Sequence, residues 1–299
     1  MGLEKFGKCL SMAAWMSLLV VYAYAEGSSR KWRNEVLKQV NSKGPYIGLI
    51  TVFPPEETAF FGTGAFKPSP IHSSLDLSGR RFRIGKVNAA AATQQMVDLF
   101  EIVGIIHFGI AGNINASMSI GDITIPKHND TVAHLDFETY NVPKGGHNIL
   151  GQIRYIHEEF FSVSGEPNIA RPLFWLEVNQ EWLHVATKLE RMELEQCINK
   201  SLCLPKKPKL VVGLRGTTAN IFVDNAAYRD FLFHSFHVAS TDMESAAVTS
   251  VSNGIPVIVI RGLSDKAGGQ SGQNAIKTFG PLAARNAAKA VLQFLKQLN

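Results

Sequence analysis

The chain has 299 residues, 45% hydrophobic and 18% charged, which supplies a full apolar core and excludes disordered, collagen-like and coiled-coil chains. Its 30 Lys and Arg against 25 Asp and Glu leave +5, with no run of five like charges, so no nucleic-acid partner is expected. One α/β domain of this length is ordinary.

In chain order, Lys5 and Lys8 precede an apolar stretch from Ser11 to Tyr22 that ends in Ala23-Tyr24-Ala25. This pattern predicts a secretory signal over residues 1–25, cleaved before Glu26. The apolar run falls short of the roughly 20 residues of a bilayer span, so no membrane association is expected after cleavage. An extracellular or vacuolar location follows. Residues 26–44 read as an N-terminal extension and 45–299 as one domain.

Short, nearly continuous apolar runs predict strands at Tyr46–Phe53, Val103–Gly109, Asp122–Pro126, Lys209–Leu214 and Ile255–Arg261. Such runs belong to a sheet covered on both faces. Helical patterns lie at Asn88–Phe100, at Glu181–Ile198, and at Asp242–Asn253 with Gly254 as its cap. A last helix, Pro281–Leu298, carries Ala287, Val291, Phe294 and Leu298 as a core stripe. The stretch of about 144–208, rich in Gly, Pro and Lys, reads as an insertion within the domain. It holds Cys197 and Cys203, six residues apart, which predict a local disulfide. Glycosylation sequons stand at Asn115, Asn129 and Asn199, the last being the best placed for use.

The chain has no P-loop, strand-attached GxGxxG, CxxC, HExxH or GxSxG, so neither a nucleotide cofactor, a metal nor an α/β-hydrolase nucleophile is expected. What remains is a set of carboxylates at strand ends. Glu56 and Glu57 follow the first strand, Asp242 and Glu244 open a predicted helix, and Ser264-Asp265 follow the strand ending at Arg261. Ligands in open α/β sheets bind beyond those ends, where carboxylates can do acid/base work. The alternatives are a helix-dipole role for Asp242 and Glu244, an N-cap role for Asp265, and a core position for Phe222.

Five segments, in order, resemble the nucleoside phosphorylase and methylthioadenosine/S-adenosylhomocysteine nucleosidase superfamily. They are Ile47-Gly48-Leu49-Ile50 with Glu56, Ile84-Gly85-Lys86-Val87-Asn88-Ala89-Ala90, Phe108-Gly109-Ile110-Ala111-Gly112, Thr241-Asp242-Met243-Glu244-Ser245-Ala246-Ala247 and Arg261-Gly262-Leu263-Ser264-Asp265. The signal, cysteine loop and insertion suggest its secreted plant branch, similar to bark storage proteins. The resemblance implies a single-domain, three-layer αβα fold around a central mixed sheet, and cleavage of the N-glycosidic bond of purine-type nucleosides. It also implies a small-molecule nucleoside partner, a homo-oligomer, and no cofactor, with phosphate as a possible co-substrate. Carried over, Glu56 activates the nucleophile, Asp265 protonates the base with the help of Ser264, and Glu244 grips the ribose hydroxyls beside Met243. Phe222 stacks on the base, Val223 offers its backbone to the base edge, and Ile110, Ala111 and Gly112 belong to the substrate-binding set.

Two departures stand out. His107 and Ile110 occupy places where the phosphorylases resemble this chain but carry a phosphate-binding arginine and serine. Water is therefore the favoured nucleophile, with phosphorolysis open if His107 or Arg215 substitutes. Secondly, Lys86 comes only 30 positions after Glu56, so about one strand fewer than the family pattern is expected before Ile84. A vegetative storage protein that keeps the fold without catalysis is the competing reading.

Overall fold

Strand β2 (Ile102–Asn113), the longest among the described residues, sets the shape of the sheet. Its first half pairs in parallel with β1 (Tyr46–Ile50), and its last two residues pair antiparallel with β12 (Val238–Asp242). On its other edge β13 (Val257–Lys266) runs parallel from Ile105 to Asn113. One strand thus hands its edge from β1 to β12 partway along, and the mixed sheet curls around its end. The sheet continues beyond β13 through β3 (Ile123–Ile125) to β10 (Leu210–Val212). Beyond β12 it runs through β11 (Arg215–Thr218) and β4 (His128–Asp130) to β7 (Trp175–Glu177). Two hairpins stand apart, β5 (Glu158–Phe160) with β6 (Arg171–Leu173), and β8 (Cys197–Asn199) with β9 (Leu202–Cys203).

These elements come from a computed structural model that describes residues 31–66, 86–130, 158–160, 171–173, 175–252, 254–269 and 275–298. The predicted signal, the point before Ile84 where a strand was expected to be lacking, and much of the insertion lie outside the described residues.

Helices cover both faces, as continuous apolar strands require. Along β2, Ile106 and Phe108 face one core, with Phe60 of α2 (Pro54–Gly62), Ala186 of α4 (Gln180–Thr187) and Phe294 of α7 (Ile276–Leu298). Ile105 faces the other, with Ile50, Ala89 of α3 (Lys86–Leu99) and Val248 of α6 (Ser245–Ser250). The remaining helices are α1, over 31–41, and α5 (Ala226–Phe236), which packs beside β12. The α/β class and the mixed central sheet are those expected. Helix α7 lies tight on β13 because Gly262 has no side chain, and a Cβ there would come 2.3 Å from the Ala283 carbonyl oxygen.

Several element boundaries differ from the sequence reading, each for a local reason. The helix predicted over Glu181–Ile198 stops at Thr187, and Cys197 instead opens the β8–β9 hairpin, closed by the Cys197–Cys203 disulfide. The helix predicted from Asp242 starts only at Ser245, because Asp242 ends β12 and its carboxylate accepts the Glu244 and Ser245 amides. Helix α7 begins at Ile276, five residues before Pro281, and the ring sits inside the helix. Strands β11 and β12 escaped the reading because Thr217, Thr218, Ser240 and Thr241 are polar yet buried.

Candidate active site

A cavity of about 210 Å³ opens where β2, β12 and β13 end and α2 begins. Ile110, Ala111 and Gly112 of β2 line it, together with Ser264 and Asp265 of β13, and Met243 and Glu244 after β12. Glu56 of α2 and the loop residues Phe222 and Val223 complete the set, so the structure brings all ten predicted site residues to one space. Adjacent strand residues normally face opposite ways. Here the register of β13 on β2 slips between Leu263 and Asp265, and this bulge lets Ser264 and Asp265 both reach the cavity.

Glu56 is the third residue of α2, behind Pro54 and Pro55, whose fixed φ suits a helix start. Its Oε2 accepts the Val52 and Phe53 amides at 3.1 and 3.0 Å and the Thr51 hydroxyl. Its Oε1 accepts the Ile110 amide at 2.8 Å. The buried carboxylate is thus held by four donors, and it abuts the backbone of Gly109, where a Cβ would lie 2.3 Å from Oε1.

Across the cavity, Ser264 Oγ donates to Asp265 Oδ1 at 2.6 Å, and Asp265 is buried within β13 rather than capping a helix. Glu244 stands at the N-cap of α6 but makes no side-chain cap bond, and it too is buried. Phe222 is 52% exposed, which excludes a core role, and Ile221 beside it is 54% exposed, so both form the cavity's rim. The Val223 carbonyl accepts the Gly268 amide at 2.6 Å.

Behind this wall lies a buried polar cluster that the sequence reading did not assemble. Arg261 Nε donates to Asp242 Oδ2 at 3.0 Å, and its Nη2 donates to Ser245 Oγ at 2.9 Å and to His107 Nε2. His107 Nδ1 faces the Ile50 carbonyl at 3.1 Å, so the imidazole is neutral with its proton on Nδ1. Burial, reinforced by Arg261, lowers the His107 pKa to about 3. Burial opposes ionisation of Asp242, yet Arg261 and the Ser245 hydrogen bonds prevail and hold its carboxyl below the ordinary range. The sequence signal was an arginine at the end of an apolar strand run, since a buried charge needs a partner.

His107 does not line the cavity, and Arg215 donates to the Phe236 carbonyl at 3.2 Å and stacks over Trp175. Neither side chain is among the residues that line the cavity. Among the described residues no Lys or Arg lines the cavity, and no group of three His, Cys, Asp or Glu could hold a metal ion.

The sequence model of the phosphorylase superfamily matches residues 36–296. The chain belongs to this superfamily. Among its relatives, bark storage protein A of Populus deltoides is 32% identical over 283 residues, which cover 84% of this chain and 88% of that protein. The 5'-methylthioadenosine/S-adenosylhomocysteine nucleosidase of Treponema pallidum is 27% identical over 228 residues, 72% of this chain and 76% of the nucleosidase. The corresponding nucleosidase of Colwellia psychrerythraea, solved in complex with adenine, superposes with a TM-score of 0.57 at 24% identity. That match covers 84% of this chain and 95% of the other. This superfamily member therefore shares its fold with nucleosidases, and a storage protein stands among its relatives.

Proposed function

We propose that this protein hydrolyses the N-glycosidic bond of purine-type nucleosides, with water rather than phosphate as the nucleophile. The observation that carries the reading is the charge of the cavity wall. Among the described residues of the wall, the ionisable side chains are the four acids Glu56, Asp242, Glu244 and Asp265, and the amides beside Glu56 already donate to that carboxylate. A phosphate dianion entering here would lose its hydration and meet carboxylates, with no Lys or Arg among the described lining residues. A neutral water meets no such penalty.

Glu56 Oε2 is saturated by three donors, whereas Oε1 takes one and keeps a lone pair for a water proton. That water attacks C1′ as the bond to the base breaks, and the electron pair leaves with the base. Asp265 enters protonated and gives its proton to purine N7, while Ser264 holds its other oxygen. Glu244 accepts from the ribose hydroxyls, Phe222 stacks on the base from the rim, and the Val223 N–H addresses its edge. Glu56 ends protonated and Asp265 ionised, and the products are free purine and free sugar.

The similarity to a bark storage protein favours a second reading, a reserve protein without turnover. Chromatography of the protein with adenosine and 5'-methylthioadenosine separates the two. Release of free base that Glu56→Gln and Asp265→Asn each abolish supports hydrolysis, whereas a folded wild type that releases none supports storage. A secretory destination is part of the proposal, and the Cys197–Cys203 bridge supports it, because disulfides persist in oxidising compartments.

A further inference from the structure

We propose that His107 is a positioning residue, an uncharged acceptor that aims the Arg261 guanidinium so that its Nη1 group faces the Glu56 carboxylate. The inference rests on the hydrolytic reading above and gives a task to His107, the histidine that is buried among the described residues and that the reaction does not use directly.

A guanidinium has five N–H groups in a rigid plane, one on Nε and two on each Nη. Asp242 Oδ2 takes the Nε hydrogen, and Ser245 Oγ and His107 Nε2 take the two on Nη2. With those three fixed, the plane cannot rotate, and Nη1 is directed to the Gly109 side. There Nη1 and Glu56 Oε1 press on the same spot, since a Gly109 Cβ would lie 2.6 Å from one and 2.3 Å from the other. The partners come from four elements, His107 from β2, Asp242 from β12, Ser245 from α6 and Arg261 from β13. A charge on His107 would turn its Nε2 from acceptor to donor and push against Arg261. The Ile50 carbonyl prevents the alternative tautomer by engaging Nδ1. The groups facing the imidazole are then one cation, Arg261, one anion, Asp242, and one carbonyl.

His107 is thus not a stand-in for a phosphate-binding arginine. Its side chain points into the buried cluster.

The test compares His107→Gln, His107→Asn and His107→Phe in the full-length protein. A Gln amide oxygen replaces Nε2 as the acceptor, an Asn amide replaces only Nδ1–H, and Phe replaces neither. The expected result is a fall in kcat on the order of ten- to a hundred-fold for Asn and Phe, as for a misaimed catalytic constellation, with KM changed less than about two-fold. Gln should restore most of the loss. In parallel, 15N spectra of wild-type histidine should show one imidazole neutral and Nδ1-protonated throughout pH 5–8. Equal activity of the Phe and Gln variants, or titration of every histidine in that range, overturns the proposal. A folded wild type that cleaves no nucleoside overturns the hydrolytic reading, and this proposal with it. An active wild type with an unaffected Phe variant overturns this proposal alone.

Discussion

Glu56 is at once a helix-capping group and the candidate base, and the two roles use different oxygens. Replacing it with Gln keeps the shape but introduces an amide N–H that must face one of the four donors, and it removes the base. Steady-state assays should show kcat lowered by about 10²- to 10⁴-fold. Asp265→Asn should lose activity to a similar degree, because an amide cannot give up a proton to the leaving base. At Gly109 even one methyl is too much. The added carbon of Gly109→Ala would lie 2.3 Å from Glu56 Oε1 and 2.6 Å from Arg261 Nη1, so the ends of both buried side chains would have to shift. Urea unfolding should report a loss of roughly 1–3 kcal/mol, the usual cost of overpacking, together with loss of turnover. The individual site residues were legible because their types and order matched a known pattern. Arg261 was visible in the same segment, but its partners Asp242, Ser245 and His107 converge only once three strands and a helix are assembled.

At the scale of elements, strand interiors were easier to read than their ends. β2 runs four residues past its predicted limit to Asn113, and β13 five past Arg261 to Lys266, because Gly, Ser and Asp there look like loop residues. Those extensions carry Ala111, Gly112, Ser264 and Asp265 to the cavity, so function resides where the apolar signal fades. The bulge at Ser264 depends on pairing with β2 and leaves no mark in composition. Helix α7 shows the opposite case. Its stripe was plain in the sequence, and Phe294 is fully buried against Trp182 at 5.6 Å between ring centres. Phe294→Ala should cost about 3–5 kcal/mol in denaturant unfolding, because the site between α4 and the sheet cannot collapse freely. A loss below 1 kcal/mol would place α7 outside the core. Asn286 on the same helix accepts the Glu195 amide and donates to the Gly121 and Glu195 carbonyls, tying the chain before the disulfide hairpin to the core.

For the whole molecule, the buried cluster couples folding to pH. Unfolded His107 takes a proton near its ordinary pKa of 6.5, whereas in the fold it resists protonation down to about 3. Across that window the unfolded chain binds more protons, so stability falls as pH falls, approaching about 1.4 kcal/mol per pH unit for this group. Asp242, held below 3.8, adds a further loss as pH drops past that value. Urea midpoints measured from pH 7 to pH 4 should decline in the wild type and flatten above pH 4.5 in His107→Phe. A homo-oligomer is also expected of this protein, which sedimentation equilibrium would read directly.

Hydrolysis at the carboxylate-lined cavity leaves a free sugar. Its most direct measurement is the sugar product formed from 5'-methylthioadenosine or adenosine in phosphate-free buffer and again with added phosphate. Free base and free sugar should form at the same rate in both buffers, with no pentose 1-phosphate. Formation of the 1-phosphate only when phosphate is present, or no release of base by the folded wild type, would contradict it.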